Sequence, residues 1–212
     1  MSKFYMGWKP ELPDQRDLPY GVHLKNVERS GAPLPAKVDL RHYFDDEFEV
    51  YNQGMTNSCV AQAVTAAVRY NQIRINQDTD YNSSRLFTYW NARSLHNATK
   101  RDDGTFIRNA IKALAKWGYC KEELWKFKSE NVLVCPPKEA YSQAYSHKAI
   151  KYFSIDNTKI DDLKTCLAAS FPFVFGSVIY QAFEDAADLN GVVPMPGNKD
   201  TPIGGHAMLC VG

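Results

Sequence analysis

Three side chains have the types and the spacing of a thiol-based hydrolytic site. Cys59 stands at the predicted start of an amphipathic helix, where free backbone N–H groups and the positive end of the helix dipole favour a thiolate. Gln53 precedes it in a turn and carries an amide that could donate to an oxyanion. His206, among small residues of a predicted strand, could act as the base. Together they predict a hydrolase with a cysteine nucleophile.

Each of these residues also has an ordinary structural interpretation. A cysteine at a helix start is often a small buried hydrophobe. His206 could be a strand histidine whose ring bonds to backbone, and Gln53 could simply cap the turn before the helix. The coincidence of all three favours catalysis over these separate explanations.

Composition bounds the class of protein. The chain has 212 residues, of which 44% are hydrophobic, enough for one large domain or two closely packed lobes. Its 25 basic and 24 acidic residues give a net charge of +1 and form no block of like charge. We therefore expect no nucleic-acid partner and no membrane partner. The first ten residues lack the apolar core of a secretory signal, which favours a cytoplasmic location.

The cysteines do not form a zinc-binding or disulfide pattern. There are five, an odd number, and no two have the CxxC spacing. We expect one reactive thiol, four buried or incidental thiols, no metal and no cofactor. A single disulfide among those four stays open.

Hydrophobic periodicity predicts helices followed by strands. Residues 1–36 carry five prolines and little periodicity, which predicts an extended arm over a surface. The predicted helices lie at 58–68, 83–95, 105–117 and 161–169, the predicted strands at 172–180 and 207–211, and a predicted loop at 191–205. This order predicts an α+β protein with two lobes, helical at about 50–150 and β-rich at about 151–212.

The segment from Tyr51 to Cys59, YNQGMTNSC, resembles the N-Q-G-x-x-x-S-C stretch of papain-like cysteine peptidases. The segment Gly205–Gly212 is similar to their histidine strand, and it lies 147 residues downstream (from 59 to 206). In that family the separation is about 130–150 residues. The stretch Asp103-Gly104-Thr105 before the third predicted helix resembles the glycine-containing loop that pairs with substrate backbone.

The resemblance implies a papain-like two-lobed fold, with residues 37–212 as the peptidase domain and the site between the lobes. Cys59 would attack a peptide carbonyl, His206 would form a thiolate–imidazolium pair with it, and Gln53 would help to stabilise the oxyanion. Substrate backbone would bind at Asp103, Gly104 and Gly205. The implied partner is a peptide or protein substrate, with no cofactor.

The chain departs from the family pattern at three places. Thr56 replaces a cysteine that forms a disulfide in many relatives, and Val60 replaces the usual aromatic residue after the nucleophile. The asparagine that orients the histidine in the family would lie beyond Gly212, which leaves two expectations open: a fold truncated at its C-terminus, or an incomplete triad.

Two further function classes remain open. One is a non-catalytic papain-fold protein that binds peptides or acts as a scaffold. This class stays open because the family's asparagine has no counterpart within the 212 residues. The other is an acyl transferase of the transglutaminase type, which shares the cysteine–histidine pair but matches the local motifs less well. The sequence does not indicate an oligomeric state.

Overall fold

The protein is described by a computed structural model that covers residues 5–21, 33–44, 50–76, 81–149 and 151–212. The predicted N-terminal arm, residues 1–36, is therefore described at 5–21 and 33–36, and its remaining residues lie outside the described part. Five helices and two strands carry the architecture of these ranges. They are α1 (Cys59–Asn76), α2 (Arg85–Ser94), α3 (Ile107–Lys116), α4 (Lys138–Ala144), α5 (Ile160–Ala168), β1 (Phe173–Tyr180) and β2 (Pro202–Cys210).

The four predicted helices are present, and apart from the longer α1 their ends are shifted by one or two residues. Ser84 caps α2 by accepting a hydrogen bond from the N–H of Phe87. Gly118, at φ +84°, follows the end of α3 as the helix-stop pattern predicts. Helix α4 was not predicted, because its seven residues are too few to show a clear period.

The two strands form an antiparallel pair whose second member begins earlier than predicted. Residues 202–205 were assigned to a loop, and that prediction is wrong because β2 starts at Pro202. Gly204 pairs with Ile179 and Gly205 pairs with Val178. Glycine is unfavourable in strands by propensity, but pairing with the β-branched residues of β1 outweighs this preference.

Helix α1 is the centre of the protein and carries the nucleophile candidate. Its buried face, which includes Val60 and Val64, packs against α2 and α3 on one side and against β2 on the other. Ala207 of β2 belongs to the same apolar cluster as Cys59. The helix therefore brings the helical part and the hairpin together at its N-terminal end.

The described part of the N-terminal arm, which was predicted to extend over a surface, also enters the protein next to Cys59. Trp8 forms a parallel bridge with Thr105, directly before α3, and its N–H donates to the carbonyl of Gly205 on β2 at 3.1 Å. The arm thus passes between the helical part and the hairpin. Apolar contacts explain the insertion, because Trp8 packs against the core cluster around α1. Among the described helices, none is both long and apolar enough to cross a bilayer.

Candidate active site

Cys59 is the first residue of α1, as predicted, and its side chain is covered by the arm. It is 1% exposed, and the N–H of Gly7 donates to its Sγ at 3.3 Å. Burial raises the pKa of the Cys59 thiol. Hydrogen bonds from the backbone of Ala207, Gly7, Val60 and Trp8 act in the opposite direction, with a smaller effect. Burial therefore outweighs the thiolate-favouring effect of the helix start while the arm is in place.

His206 lies on β2, opposite Ser177 of β1. Its Nδ1 is buried and has no hydrogen-bond partner among the described residues. Burial lowers the pKa of this imidazole. The next residue, Ala207, reaches the sulfur of Cys59 through its backbone. The strand therefore brings the backbone of the residue after His206 to the sulfur of Cys59, and with the arm bound the pKa directions favour a neutral thiol and a neutral imidazole.

The Gln53 side chain is fixed by the loop before α1 and points its amide at the arm. Its Nε2 donates to the carbonyl of Thr56 at 2.7 Å and to the carbonyl of Tyr5 at 2.8 Å. The hydroxyl of Thr56 donates back to the Gln53 carbonyl at 2.8 Å. The Tyr5 carbonyl of the arm thus accepts a hydrogen bond from the Gln53 amide that we predicted to stabilise an oxyanion.

The glycine-containing loop pairs with the arm through its backbone. The N–H of Thr105 donates to the Gly7 carbonyl at 2.8 Å, and its carbonyl accepts from the N–H of Lys9 at 3.1 Å. Gly104 has φ +82°, and a Cβ there would collide with the carbonyl of Gly7. Thr105 belongs to the loop that the sequence predicted, but it was not singled out as a binding residue, because its contribution is made by main-chain groups that any residue carries.

Asp103, the first residue of the predicted substrate loop, lies at the rim. It is exposed and forms ion pairs with Lys9 at 3.2 Å and with Arg101 at 3.6 Å. Its contact with the arm is therefore electrostatic and screened by solvent. A role in substrate binding stays a prediction for this residue.

The hairpin contributes a slot that holds the Trp8 indole. A Cβ on Gly176 of β1 would overlap the indole ring, and a Cβ on Gly205 would lie 2.9 Å from one of its carbon atoms. The Gly205 carbonyl also accepts a hydrogen bond from the backbone N–H of Trp8. The missing side chains of these two strand glycines therefore make room for a large aromatic side chain next to Cys59.

Beyond the cleft, charged contacts hold the arm on α3. Arg108 forms ion pairs with Glu11 at 2.9 Å and with Asp17 at 2.7 Å, and it donates to the carbonyl of Leu12 at 3.1 Å. Its own backbone N–H donates to Glu11 at 2.7 Å. Burial raises the pKa of Glu11, and the nearby Arg108 partly offsets that effect.

All five cysteines are unpaired thiols, which leaves the loop at Thr56 without a disulfide. In the described ranges, no three His, Cys, Asp or Glu side chains are grouped so that they could hold a metal ion. The reactive group that the described residues offer at the start of α1 is therefore the free thiol of Cys59.

Comparison with other proteins gives one sequence relative and a set of similar structures. No protein-family profile matches the chain. It is 34% identical to an uncharacterised peptidase C1-like protein of Acanthamoeba polyphaga mimivirus, over 97% of this chain and 72% of that protein. The structure is similar to xylellain, a cysteine protease from Xylella fastidiosa, with a TM-score of 0.83 and 33% identity over 99% of this chain and 80% of xylellain. It is also similar in fold to procathepsin B of Trypanosoma congolense, with a TM-score of 0.68 and 14% identity over 98% and 70% of the two chains.

Proposed function

The chain belongs to the papain-like cysteine peptidases, and we propose that it hydrolyses peptide bonds with Cys59 as the nucleophile and His206 as the general base. Membership confirms the predicted α+β fold class and the predicted enzyme class. The observation that carries the finer assignment is the arm itself. A peptide segment already lies in the cleft, with its N–H at 3.3 Å from the Cys59 sulfur.

The proposed chemistry uses groups that converge at the start of α1. The Cys59 thiol gives its proton to Nδ1 of His206, a buried nitrogen without another partner among the described residues. The thiolate then attacks the peptide carbonyl carbon, and the oxyanion accepts hydrogen bonds from the Gln53 amide and the Cys59 N–H. The imidazolium protonates the leaving amine as the C–N bond breaks. Water, deprotonated by His206, finally hydrolyses the thioester and restores the thiol.

Main-chain groups on both sides of the cleft would bind the substrate backbone. Thr105 offers an N–H and a carbonyl, and Gly205 offers a carbonyl. All three groups now bind the arm, so peptide-like backbone is the chemistry that they recognise. A substrate must displace the arm, because both need the same thiol, the same Gln53 amide and the same backbone groups.

The experiment is digestion of an unfolded protein by the full chain, with cleavage products identified by mass spectrometry. We expect Cys59→Ala and His206→Ala each to lower the rate on the order of 10⁴- to 10⁶-fold. Cys135→Ala, which removes an exposed thiol, is the matched control and should cleave like wild type.

The same digestion separates the other two classes. Peptides that bind but stay intact would favour a non-catalytic binding protein. Products joined to an added amine, with no free carboxyl formed, would favour an acyl transferase. Hydrolysis that survives Cys59→Ala would overturn the assignment of the nucleophile.

A further inference from the structure

The nucleophile loop and the substrate loop are tied together by Asp102. The backbone N–H of Asn57, two residues before the nucleophile, donates to both carboxylate oxygens of Asp102, each at 3.1 Å. The Asn57 side-chain amide donates to the main-chain carbonyl of Asp102 at 2.6 Å. Asn57 therefore contacts Asp102 through main chain and side chain at once, and no covalent bond links these loops.

A buried tyrosine fixes the carboxylate from the other side. The Tyr89 hydroxyl donates to Oδ1 of Asp102 at 2.6 Å and accepts the N–H of Gly104 at 3.1 Å. Tyr89 is fully buried, and the guanidinium of Arg93 lies 4.0 Å from the centre of its ring. Arg93, also fully buried, donates to the carbonyl of Arg101, directly before Asp102. The carboxylate is thus held in one orientation by groups from α2 and from its own loop.

This connection joins the two halves of the proposed reaction geometry. Asn57 leads directly into Ser58 and Cys59, whose N–H belongs to the proposed oxyanion site. Asp102 leads into Gly104 and Thr105, whose backbone pairs with a peptide in the cleft. A shift of one loop relative to the other would move the bound carbonyl away from the sulfur and its oxyanion donors.

We propose that Asp102 is a positioning residue for peptide hydrolysis, which keeps the nucleophile loop in register with the substrate loop. The proposal rests on the proposed peptidase function. It assigns a role to a carboxylate that touches neither the thiol nor the imidazole. Positioning groups of this kind typically change activity about 10- to 100-fold when they are removed, by analogy with the outer-shell partners of metal ligands.

Two reactions of the same sulfur test it. Alkylation of Cys59 by iodoacetamide needs an accessible thiolate but no oxyanion site and no bound peptide. Hydrolysis of a fluorogenic peptide amide needs the oxyanion site and the bound peptide as well as the thiolate. Each requires the arm to move aside, so the ratio of the two rates is independent of arm occupancy.

We expect Asp102→Ala to lower kcat/KM for the peptide amide about 10- to 100-fold while alkylation of Cys59 stays within about threefold of wild type. Tyr89→Phe, which keeps the ring under Arg93, should shift the ratio in the same direction by less. It also provides the test if Asp102→Ala does not fold. Glu122→Ala is the matched control, because Glu122 likewise accepts backbone N–H groups, those of Arg85 and Phe127, but elsewhere in the structure.

An unchanged ratio in both Asp102→Ala and Tyr89→Phe, with wild type active, would overturn the positioning role and leave the peptidase intact. A ratio that falls equally in Glu122→Ala would reduce the effect to general destabilisation and would also overturn it. Wild-type protein that is alkylated at Cys59 but hydrolyses no peptide would overturn the peptidase function and this role together.

Discussion

The backbone N–H of Gly7 points at the Sγ of Cys59 across 3.3 Å. The nucleophile candidate therefore accepts a hydrogen bond from the main chain of the arm. A Cβ on Gly7 would collide with the carbonyl of Asn57, so only glycine fits this closely against the nucleophile loop. The described arm therefore covers the nucleophile candidate and contacts its sulfur through a backbone N–H.

The Trp8 indole should be the main apolar anchor of the arm. Trp8→Ala removes a large aromatic surface from the slot between Gly176 and Gly205, a loss on the order of 2 kcal/mol for this partly buried ring. We expect peptide hydrolysis by the full chain to rise about 10- to 30-fold, as the population with an open cleft grows. Leu12→Ala, at an arm position that is 85% exposed, should leave the rate unchanged. Equal rates for Trp8→Ala and wild type would show that the indole does not hold the arm.

Arg108 should anchor the arm electrostatically. Arg108→Ala leaves the half-buried carboxylates of Glu11 and Asp17 without their cation, at a cost of about 1–3 kcal/mol to the bound arm. We expect faster hydrolysis and a weaker dependence of the rate on NaCl concentration. Arg16→Ala removes an exposed pair with Asp14 inside the arm and is the control. A salt dependence identical to that of wild type would contradict the anchoring role.

Gln53 should act on the oxyanion and not on the thiol. Gln53→Ala removes one hydrogen-bond donor, which typically costs about 10²- to 10³-fold in kcat. Gln53→Glu keeps the shape but carries no N–H when ionised, so it should be similarly slow. We expect iodoacetamide to alkylate Cys59 in both variants at least as fast as in wild type, because the Tyr5 contact of the arm is also lost. Slower alkylation would assign Gln53 to thiol activation instead.

We expect the free energy of unfolding of the arm-bound protein to fall at acid pH, because the buried His206 must then be protonated. Burial lowers its pKa, so the folded protein favours the neutral ring, and the stability this provides is present above the ordinary pKa of about 6.5. That stability is lost as pH falls through the lowered folded-state value. We expect the Tm of wild type to fall more than that of His206→Gln between pH 8 and pH 5. Burial also lowers the pKa of His96, but His96 is present in both proteins, so the difference between the curves reports His206. Parallel curves would contradict the expected linkage.

Local pattern was sufficient to predict the elements that carry the site. The run of Val60, Val64 and Val68 predicts the buried face of α1 and puts Cys59 at its first turn, and both features are present. Residues 202–205 were misassigned because glycine propensity is a local property, whereas strand pairing with β1 is a contact across the chain. Thr105 was predicted as part of the substrate loop but not singled out within it, because its hydrogen bonds come from main-chain atoms that every residue type carries.

The sequence by itself indicated the family, through the resemblance of residues 51–59 and 205–212 to its motifs. It also determined the α+β order of elements and the candidate nucleophile, because these follow from side-chain type and periodicity along the chain. Only the tertiary structure decided that the proline-rich arm enters the cleft, and that Asp102 ties Asn57 to the substrate loop in a chain whose Thr56 cannot form a disulfide. Both depend on groups 45 to 52 residues apart meeting in space. The Gly7 N–H and the Asp102 carboxylate are groups of an ordinary kind. They gain these roles only because the fold places them against Cys59 and Asn57.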